Sequence, residues 1–262
     1  MTTPVSTAAL AVTLARVLRS EWHKLWTVRS TWLSLALTVL LTVGIGLAIG
    51  ATYESGGGDD DLDTVLLVLL GMQFTQLVIG TLGILSTAGE HATGQIRSTM
   101  TAVPRRLPVL WSKAAVLAGV TFVIVLATNF ITFLLAQTFL TDTDQAASLG
   151  DPGIARALAA NAAGLALLGV IALGIGSLVR SVPTAIGILI GVVLILPEVL
   201  TTLPYDIVDD AVRHFPAKAL EALTHAEPTP GTASPAAALL ALTLWTAATL
   251  ALSALLLKRR DV

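Results

Sequence analysis

Six long apolar blocks, nearly free of charged residues, constrain this chain more than any other feature. A membrane-spanning helix needs about 20 predominantly apolar residues, and each block reaches that length. Only 12% of the residues are charged, against roughly 25% in an average soluble domain. The sequence therefore predicts an all-α polytopic membrane protein, one transmembrane domain over residues 1–262, with spans at residues 31–51, 64–88, 111–140, 154–179, 184–203 and 235–257.

The charges alternate between the intervals, although the formal net charge is only −2. Twelve Lys and Arg residues and three acids lie in one set of intervals, made up of the N-terminal segment, residues 89–107 with Lys113, Arg180 and the C-terminal tail. Three Lys and Arg residues and thirteen acids lie in the other set, residues 52–63, 141–153 with Arg156, and 204–234. Because basic loops stay cytoplasmic, we expect both termini inside.

Residues 8–27 precede the first span and have the pattern of an amphipathic helix lying in the membrane interface. One face is apolar, and Arg16, Arg19 and Lys24 lie on the opposite face. Trp22 suits the headgroup level, and Arg29 marks the turn into the first span. Glu21 interrupts the apolar face. We expect this carboxylate to face protein, with a basic residue as its partner, or else to reach past its neighbours to the interface.

Several classes of chemistry are excluded or disfavoured by the sequence. With no cysteine, the chain has no disulfide, zinc-thiolate site or cysteine nucleophile. It contains no G-x-x-x-x-G-K-[ST] loop and no H-E-x-x-H motif. We therefore expect no enzymatic activity, no metal and no cofactor bound by this chain, and no nucleic-acid partner.

The connection between spans two and three is longer than a helix hairpin needs, and it carries both a carboxylate and embedded arginines. On a helix, Glu90 and Arg97 would share one face, because they are seven residues apart. Arg105, Arg106 and Lys113 would anchor the return into the bilayer. The positive-inside bias alone explains the basic residues, but it does not explain Glu90 or the length.

A set of ordered motifs resembles a known family. They are Ser20-Glu21-Trp22-x-Lys24-Leu25 with Arg29-Ser30, Gly89-Glu90-x-x-x-Gly94-x-Ile96-Arg97-Ser98-Thr99, Pro104-Arg105-Arg106, Gly174-x-Gly176-Ser-Leu-Val-Arg180 and His214-Phe215-Pro216-Ala217. In this order, on six spans, they resemble the membrane subunits of type-2 ABC transporters, particularly the single-domain permeases common in actinobacteria.

The resemblance implies a permease in the bacterial plasma membrane that pairs with a second permease copy to export an amphiphilic substrate. A separate dimeric ATPase subunit would bind ATP and Mg and drive it. Residues 8–27 would be the elbow helix, with Glu21, Trp22, Lys24 and Arg29. Residues 89–106 would form a cytoplasmic coupling helix, with Glu90, Gly94, Ile96, Arg97, Arg105 and Arg106 as the docking region.

Five polar side chains lie at comparable depth within four predicted spans: Gln73, Gln76, Asn129, Asn161 and Glu198. They are candidates for a substrate pathway, because polar groups in a membrane are often functional. Alternatively, the amides only join helices, and Glu198 reaches the interface. Between spans five and six, Pro216 should divide the outer loop into two short helices. The resemblance implies that these are outer half-helices that cap the pathway; the alternative is one amphipathic surface hairpin.

Two other functions stay open. A stand-alone secondary transporter would couple ions through Glu198, and a non-transporting membrane protein would act in immunity or interaction. Membrane lipids are expected partners in every case.

Overall fold

The computed structural model describes residues 13–54, 63–92, 94, 106–227 and 229–259. Every regular element among these residues is a helix. Twelve helices are labelled here α1–α12, and one π-helical segment lies between α8 and α9. The predicted all-α class is confirmed for the part of the chain that is described.

The first two helices meet at a sharp corner. Helix α1 (Leu14–Thr27) is capped by Thr13, whose hydroxyl accepts a hydrogen bond from the Arg16 amide. Val28 alone separates it from α2 (Arg29–Thr52), and the extended backbone of Val28 turns the chain into the long apolar helix. Helix α1 therefore ends where the first predicted span begins.

The second predicted span, 64–88, is interrupted. Helix α3 (Thr64–Val68) and helix α4 (Met72–Leu85) are separated by a tight turn at residues 69–71. At Gly71 a Cβ atom would lie 2.7 Å from the carbonyl oxygen of Leu41, so the turn brings this backbone directly against α2. A short helix α5 (Ala88–Ala92) follows α4.

Two long helices form the centre of the molecule. Helix α6 (Arg106–Leu140) is 35 residues long, which corresponds to about 52 Å at 1.5 Å per residue. Helix α7 (Ile154–Val179) has the bounds predicted for the fourth span. It is the most enclosed of the long apolar helices, with 78% of an 18-residue apolar stretch buried. Its glycines allow close packing, since a Cβ at Gly174 would lie 2.8 Å from Thr249.

The remaining elements complete the bundle. Helix α8 (Val182–Ile188), a π-helical segment (Leu189–Ile195) and α9 (Leu196–Leu200) form one continuous apolar rod. The outer loop folds into α10 (Asp206–Val212) and α11 (Pro216–Thr224), divided at Pro216 as predicted. The final helix is α12 (Pro235–Arg259).

Among the described residues, five helices are long and apolar enough to cross a membrane. They are Arg29–Thr52, Leu107–Leu140, Ile154–Val179, Val182–Leu200 and Pro235–Arg259. The second predicted span exists as α3 and the 14-residue α4, and the turn between them keeps either helix from spanning alone. The chain thus has the architecture of a membrane protein, and a sixth crossing by α3 and α4 together stays a prediction.

Candidate functional site

Four charged side chains from three separate parts of the chain form a closed ring of ion pairs. The Lys113 Nζ atom lies 2.7 Å from Oε2 of Glu21 and 2.9 Å from Oε1 of Glu90. The Lys24 Nζ atom lies 3.1 Å from Oε1 of Glu21 and 3.2 Å from Oε1 of Glu90. We call these four residues the charge quartet. Each carboxylate contacts both ammonium groups, so the charges alternate around the ring.

The helices place the quartet at one end of the bundle. Glu21 and Lys24 are one turn apart on α1, Glu90 lies on α5 directly after α4, and Lys113 lies two turns into α6. The ring therefore joins the N-terminal helix to both helices that flank residues 93–105. We call this the quartet end of the bundle.

The quartet is largely shielded from solvent. The side chains of Glu21, Glu90 and Lys113 are 3%, 8% and 10% exposed, whereas that of Lys24 is 27% exposed. A buried carboxylate or ammonium group is costly unless it is paired and hydrogen-bonded. Since two carboxylates meet two ammonium groups, the ring balances its own charge.

The pKa values of two members shift in the direction that keeps them charged. Burial alone raises the pKa of Glu90, but the ammonium groups of Lys113 and Lys24 outweigh it and hold the pKa below its ordinary value. Burial alone lowers the pKa of Lys24, but Glu21 and Glu90 outweigh it and raise the pKa above its ordinary value. Both groups are therefore ionised at neutral pH, and the ion pairs of the ring link α1, α5 and α6.

These contacts bear on two interpretations from the sequence. The expectation that Glu21 faces protein and meets a basic residue is confirmed. Lys113 is buried at 8% exposure and paired with two carboxylates, and its role as an anchor for the return into the bilayer stays a prediction. Two features of the sequence pointed to this cluster: the single lysine in an apolar block, Lys113, and the single glutamate on an apolar helix face, Glu21.

The predicted docking region is described only in part. Glu90 lies in α5, and Gly94 follows with a φ of +73°, a left-handed conformation that ends any right-handed helix there. A single α-helix carrying both Glu90 and Arg97 is therefore not formed through Gly94. Ile96, Arg97 and Arg105 lie outside the described residues, and Arg106 is the first residue of α6.

Aromatic residues gather at the corner between α1 and α2. The rings of Trp22 and Trp26 are 5.6 Å apart, and those of Trp26 and Trp32 are 4.9 Å apart. The Trp32 indole donates a hydrogen bond to the Trp26 carbonyl at 2.9 Å. Trp22 and Trp32 are 46% and 57% exposed. Exposed tryptophans beside Arg29 have the composition of a membrane-interface belt.

The five polar residues of the predicted spans do not form one hydrogen-bonded network. Asn129 and Asn161 are fully buried, and the Asn129 amide donates to the Asn161 carbonyl oxygen at 2.8 Å. The Asn161 amide in turn donates to Met72 Sδ and to Thr224 Oγ1, both at 3.0 Å. These contacts link α4, α6, α7 and α11. This is the arrangement expected if the amides only join helices.

The other three polar residues lie elsewhere. Gln76 donates a hydrogen bond to Gln73 at 2.8 Å within α4, and Gln73 is exposed. Glu198, with 58% of its side chain exposed, pairs with Lys218 of α11 at 2.9 Å. Among the described residues, neither the glutamines nor Glu198 forms a hydrogen bond with the asparagine pair.

A second polar junction, at the opposite end of the bundle, was not found from the sequence. Asp63 caps α3 and also accepts hydrogen bonds from the Ala226 amide at 2.6 Å and the Glu227 amide at 3.3 Å. Arg156 donates to the Ala226 carbonyl at 2.7 Å. These contacts fix the loop after α11 against α3 and α7.

Within the described ranges, no group of three or more His, Cys, Asp or Glu residues is arranged to hold a metal ion. Comparison with protein-family models, with curated proteins and with solved structures finds no match to this chain.

Proposed function

We propose that this chain is the membrane subunit of an ABC-type exporter. In this proposal, two permease subunits form the path for an amphiphilic substrate, and a separate ATPase subunit drives them. The ATPase contacts residues 89–106 on the cytoplasmic side. The chain supplies the path and the mechanical connection, while ATP and Mg bind to the partner.

The charge quartet is the observation that carries the proposal. A force applied to residues 89–106 reaches Glu90, and Glu90 is bound to Lys113 of α6 and to Lys24 of α1. Because each carboxylate contacts both ammonium groups, the three helices move together in this proposal. Such a joint converts displacement of one loop into rigid movement of the helices on either side.

The absence of a nucleotide-binding loop in the sequence agrees with this division of labour. The alternative of ion coupling through Glu198 has less support. Its carboxylate is more than half exposed and already paired with Lys218 at the far end of the bundle. An ion-coupling carboxylate is expected inside the bundle or a water-filled cavity.

Co-purification tests the proposal. The tagged chain is expressed in its source cells, extracted in mild detergent and purified, and bound proteins are identified by mass spectrometry. We expect an ABC-type ATPase at a ratio near one per permease. Reversing the basic charges of the docking region with Arg97→Glu and Arg105→Glu should reduce its recovery at least about tenfold, equivalent to about 1.4 kcal/mol of binding.

The matched control reverses two charges in the C-terminal tail, which is predicted to lie on the same side. Lys258→Glu with Arg259→Glu changes the net charge by the same amount outside the docking region. Recovery of the ATPase should then be close to wild type. If no ATPase accompanies the wild-type chain, or both pairs of substitutions reduce recovery equally, the proposal is wrong.

A further inference from the structure

A cavity adjoins the charge quartet on the side facing α2. Its volume is about 280 Å³, and it is partly enclosed. Residues of α1, α2, α4, α5 and α6 line it, and all four members of the quartet are among them. Drug-sized ligand pockets are roughly 300–1,000 Å³. This cavity is therefore large enough for part of a ligand whose remainder lies outside.

The walls of the cavity are divided by polarity. Leu25, Leu82, Leu85 and Leu117 contribute apolar surface, and the quartet contributes two carboxylates and two ammonium groups. Thr31 also lines the cavity, and its hydroxyl can donate or accept a hydrogen bond. The cavity therefore offers both apolar and polar surface to a ligand.

The position of the cavity limits where a ligand comes from. Val28, the corner residue between α1 and α2, lines the cavity and is 44% exposed. Trp22 and Trp32 lie on the two helices that meet at Val28, and such exposed tryptophans favour the headgroup level of a membrane. A molecule entering beside Val28 would therefore come from the membrane interface.

The charge balance of the quartet selects the headgroup. A purely anionic ligand would meet two carboxylates, and a purely cationic one would meet two ammonium groups. A zwitterion offers an anion to the lysines and a cation to the glutamates without changing the net charge. The carboxylates accept hydrogen bonds, so a primary ammonium group with three N–H donors suits them better than a trimethylammonium group with none.

We propose that this cavity is a lipid site that binds a phospholipid with a primary ammonium and a phosphate in its headgroup. The headgroup lies against the charge quartet, and the upper part of one acyl chain lies along the leucine wall. The inference does not rest on the proposed function, because the isolated chain is sufficient to bind the lipid. A bound lipid would fill the space between α1 and the helices behind it.

Native mass spectrometry with defined lipids tests the proposal. The purified chain in detergent is given equal amounts of phosphatidylethanolamine, phosphatidylcholine and phosphatidylglycerol. We expect one phosphatidylethanolamine adduct, at least about fivefold more abundant than either other adduct. Equal adducts from all three lipids, or an excess of another lipid, would overturn the site.

A pair of variants on α6 locates the adduct. Val116 lines the cavity, and Val123 lies on the same helix seven residues later and is 62% exposed. Val116→Trp should fill the cavity and abolish the phosphatidylethanolamine excess, while Val123→Trp should retain it. Retention of the excess in a folded Val116→Trp chain contradicts the proposal.

A headgroup series on the wild-type chain keeps the test independent of folding. Mono-, di- and trimethylated phosphatidylethanolamine carry progressively fewer N–H donors, so binding should decrease stepwise. Equal binding across the series would exclude recognition of the ammonium group. Glycerophosphoethanolamine, which has the headgroup but no chains, should not compete, and competition by it would show that the leucine wall has no part in binding.

Discussion

The Lys113 ammonium lies 2.7 Å from the Glu21 carboxylate, although 92 residues separate them along the chain. This contact joins the amphipathic N-terminal helix to the interior of the bundle. The same ammonium contacts Glu90 at 2.9 Å. Lys113 is therefore the residue through which α1, α5 and α6 are held together at the quartet end.

Removing the Lys113 charge should strongly destabilise the protein. Lys113→Met leaves two buried carboxylates with one ammonium between them, and the expected loss is about 3–5 kcal/mol. Arg213→Met is the control, because Arg213 pairs with Asp210, whose side chain is 67% exposed. Exposed pairs contribute about 0–1 kcal/mol. Thermal unfolding in detergent micelles measures both variants. Similar losses of stability would contradict the claim that the quartet stabilises the protein.

Coupling within the quartet follows from the same contacts. If Glu21 and Lys113 stabilise each other, Glu21→Gln with Lys113→Met should cost less than the sum of the two single substitutions. Contacting residues in one network typically show coupling energies of about 0.5–3 kcal/mol. A double-mutant cycle on unfolding free energy checks this, and strictly additive losses would mean that the two charges do not interact.

Acidification should lower the free energy of unfolding, because it protonates Glu90. Its pKa is held below the ordinary value of 4.5 in the folded chain. The contribution of the ionised Glu90 to the free energy of unfolding is therefore complete above pH 4.5. It is lost as the pH falls through the lower pKa of the folded chain. The stability difference between wild type and Glu90→Gln should narrow below pH 4.5. A difference that stays constant through this range would show that Glu90 is not stabilised as an anion.

Some of this structure could be predicted from the sequence and some could not. The bounds predicted for the fourth span are those of helix α7, since the residues between Gly153 and Arg180 are mostly apolar and Arg156 lies close to the first end. The partner of Glu21 could be predicted only as a basic residue. Lys24 lies one turn away on the same helix, whereas Lys113 is brought to Glu21 by the packing of α6 against α1. Lys24 was assigned to the polar face, but its flexible stem turns the ammonium inward.

The break in the second predicted span also could not be predicted from the sequence. Residues 64–88 have a continuous apolar composition, and the turn at 69–71 arises where Gly71 meets the backbone of α2. The sequence predicts a comparable depth for the five polar residues, but depth says nothing of which face each side chain occupies. The structure pairs Asn129 with Asn161 and leaves Glu198 at the surface.

Packing between α4 and α7 should be sensitive at Gly83. A Cβ there would lie 2.2 Å from the Gly169 carbonyl oxygen and 3.0 Å from the Leu173 amide nitrogen. Both are backbone atoms, so the helices must separate, and overpacking typically costs about 1–3 kcal/mol. Gly44→Ala on α2 is the control, because nothing lies within 4 Å of its Cβ position. Equal melting temperatures for Gly83→Ala and Gly44→Ala would contradict this packing.

The buried asparagine pair should contribute to stability. Asn161→Leu removes hydrogen bonds to Asn129, Met72 and Thr224. Interhelical hydrogen bonds in membranes contribute about 0.6 kcal/mol each on average, so the expected loss is about 1–2 kcal/mol. Gln73→Leu changes an exposed amide on α4 and should be close to neutral. Unfolding in micelles measures both, and a smaller loss for Asn161→Leu than for Gln73→Leu would contradict the helix-joining role.

The most direct test uses single cysteines, since the chain has none of its own. Gly94 and Gly231 both have positive φ values, +73° and +84°, and open space at the Cβ position. Gly94 lies beside Glu90 at the quartet end, and Gly231 lies in the loop before α12. Gly94→Cys and Gly231→Cys chains carry the same photoreactive crosslinker, are irradiated in membranes of the source cells, and their adducts are identified by mass spectrometry. The account predicts an ABC-type ATPase crosslinked to Gly94→Cys and absent from Gly231→Cys. An ATPase absent from the Gly94→Cys adducts, or crosslinked equally at both positions, would contradict it.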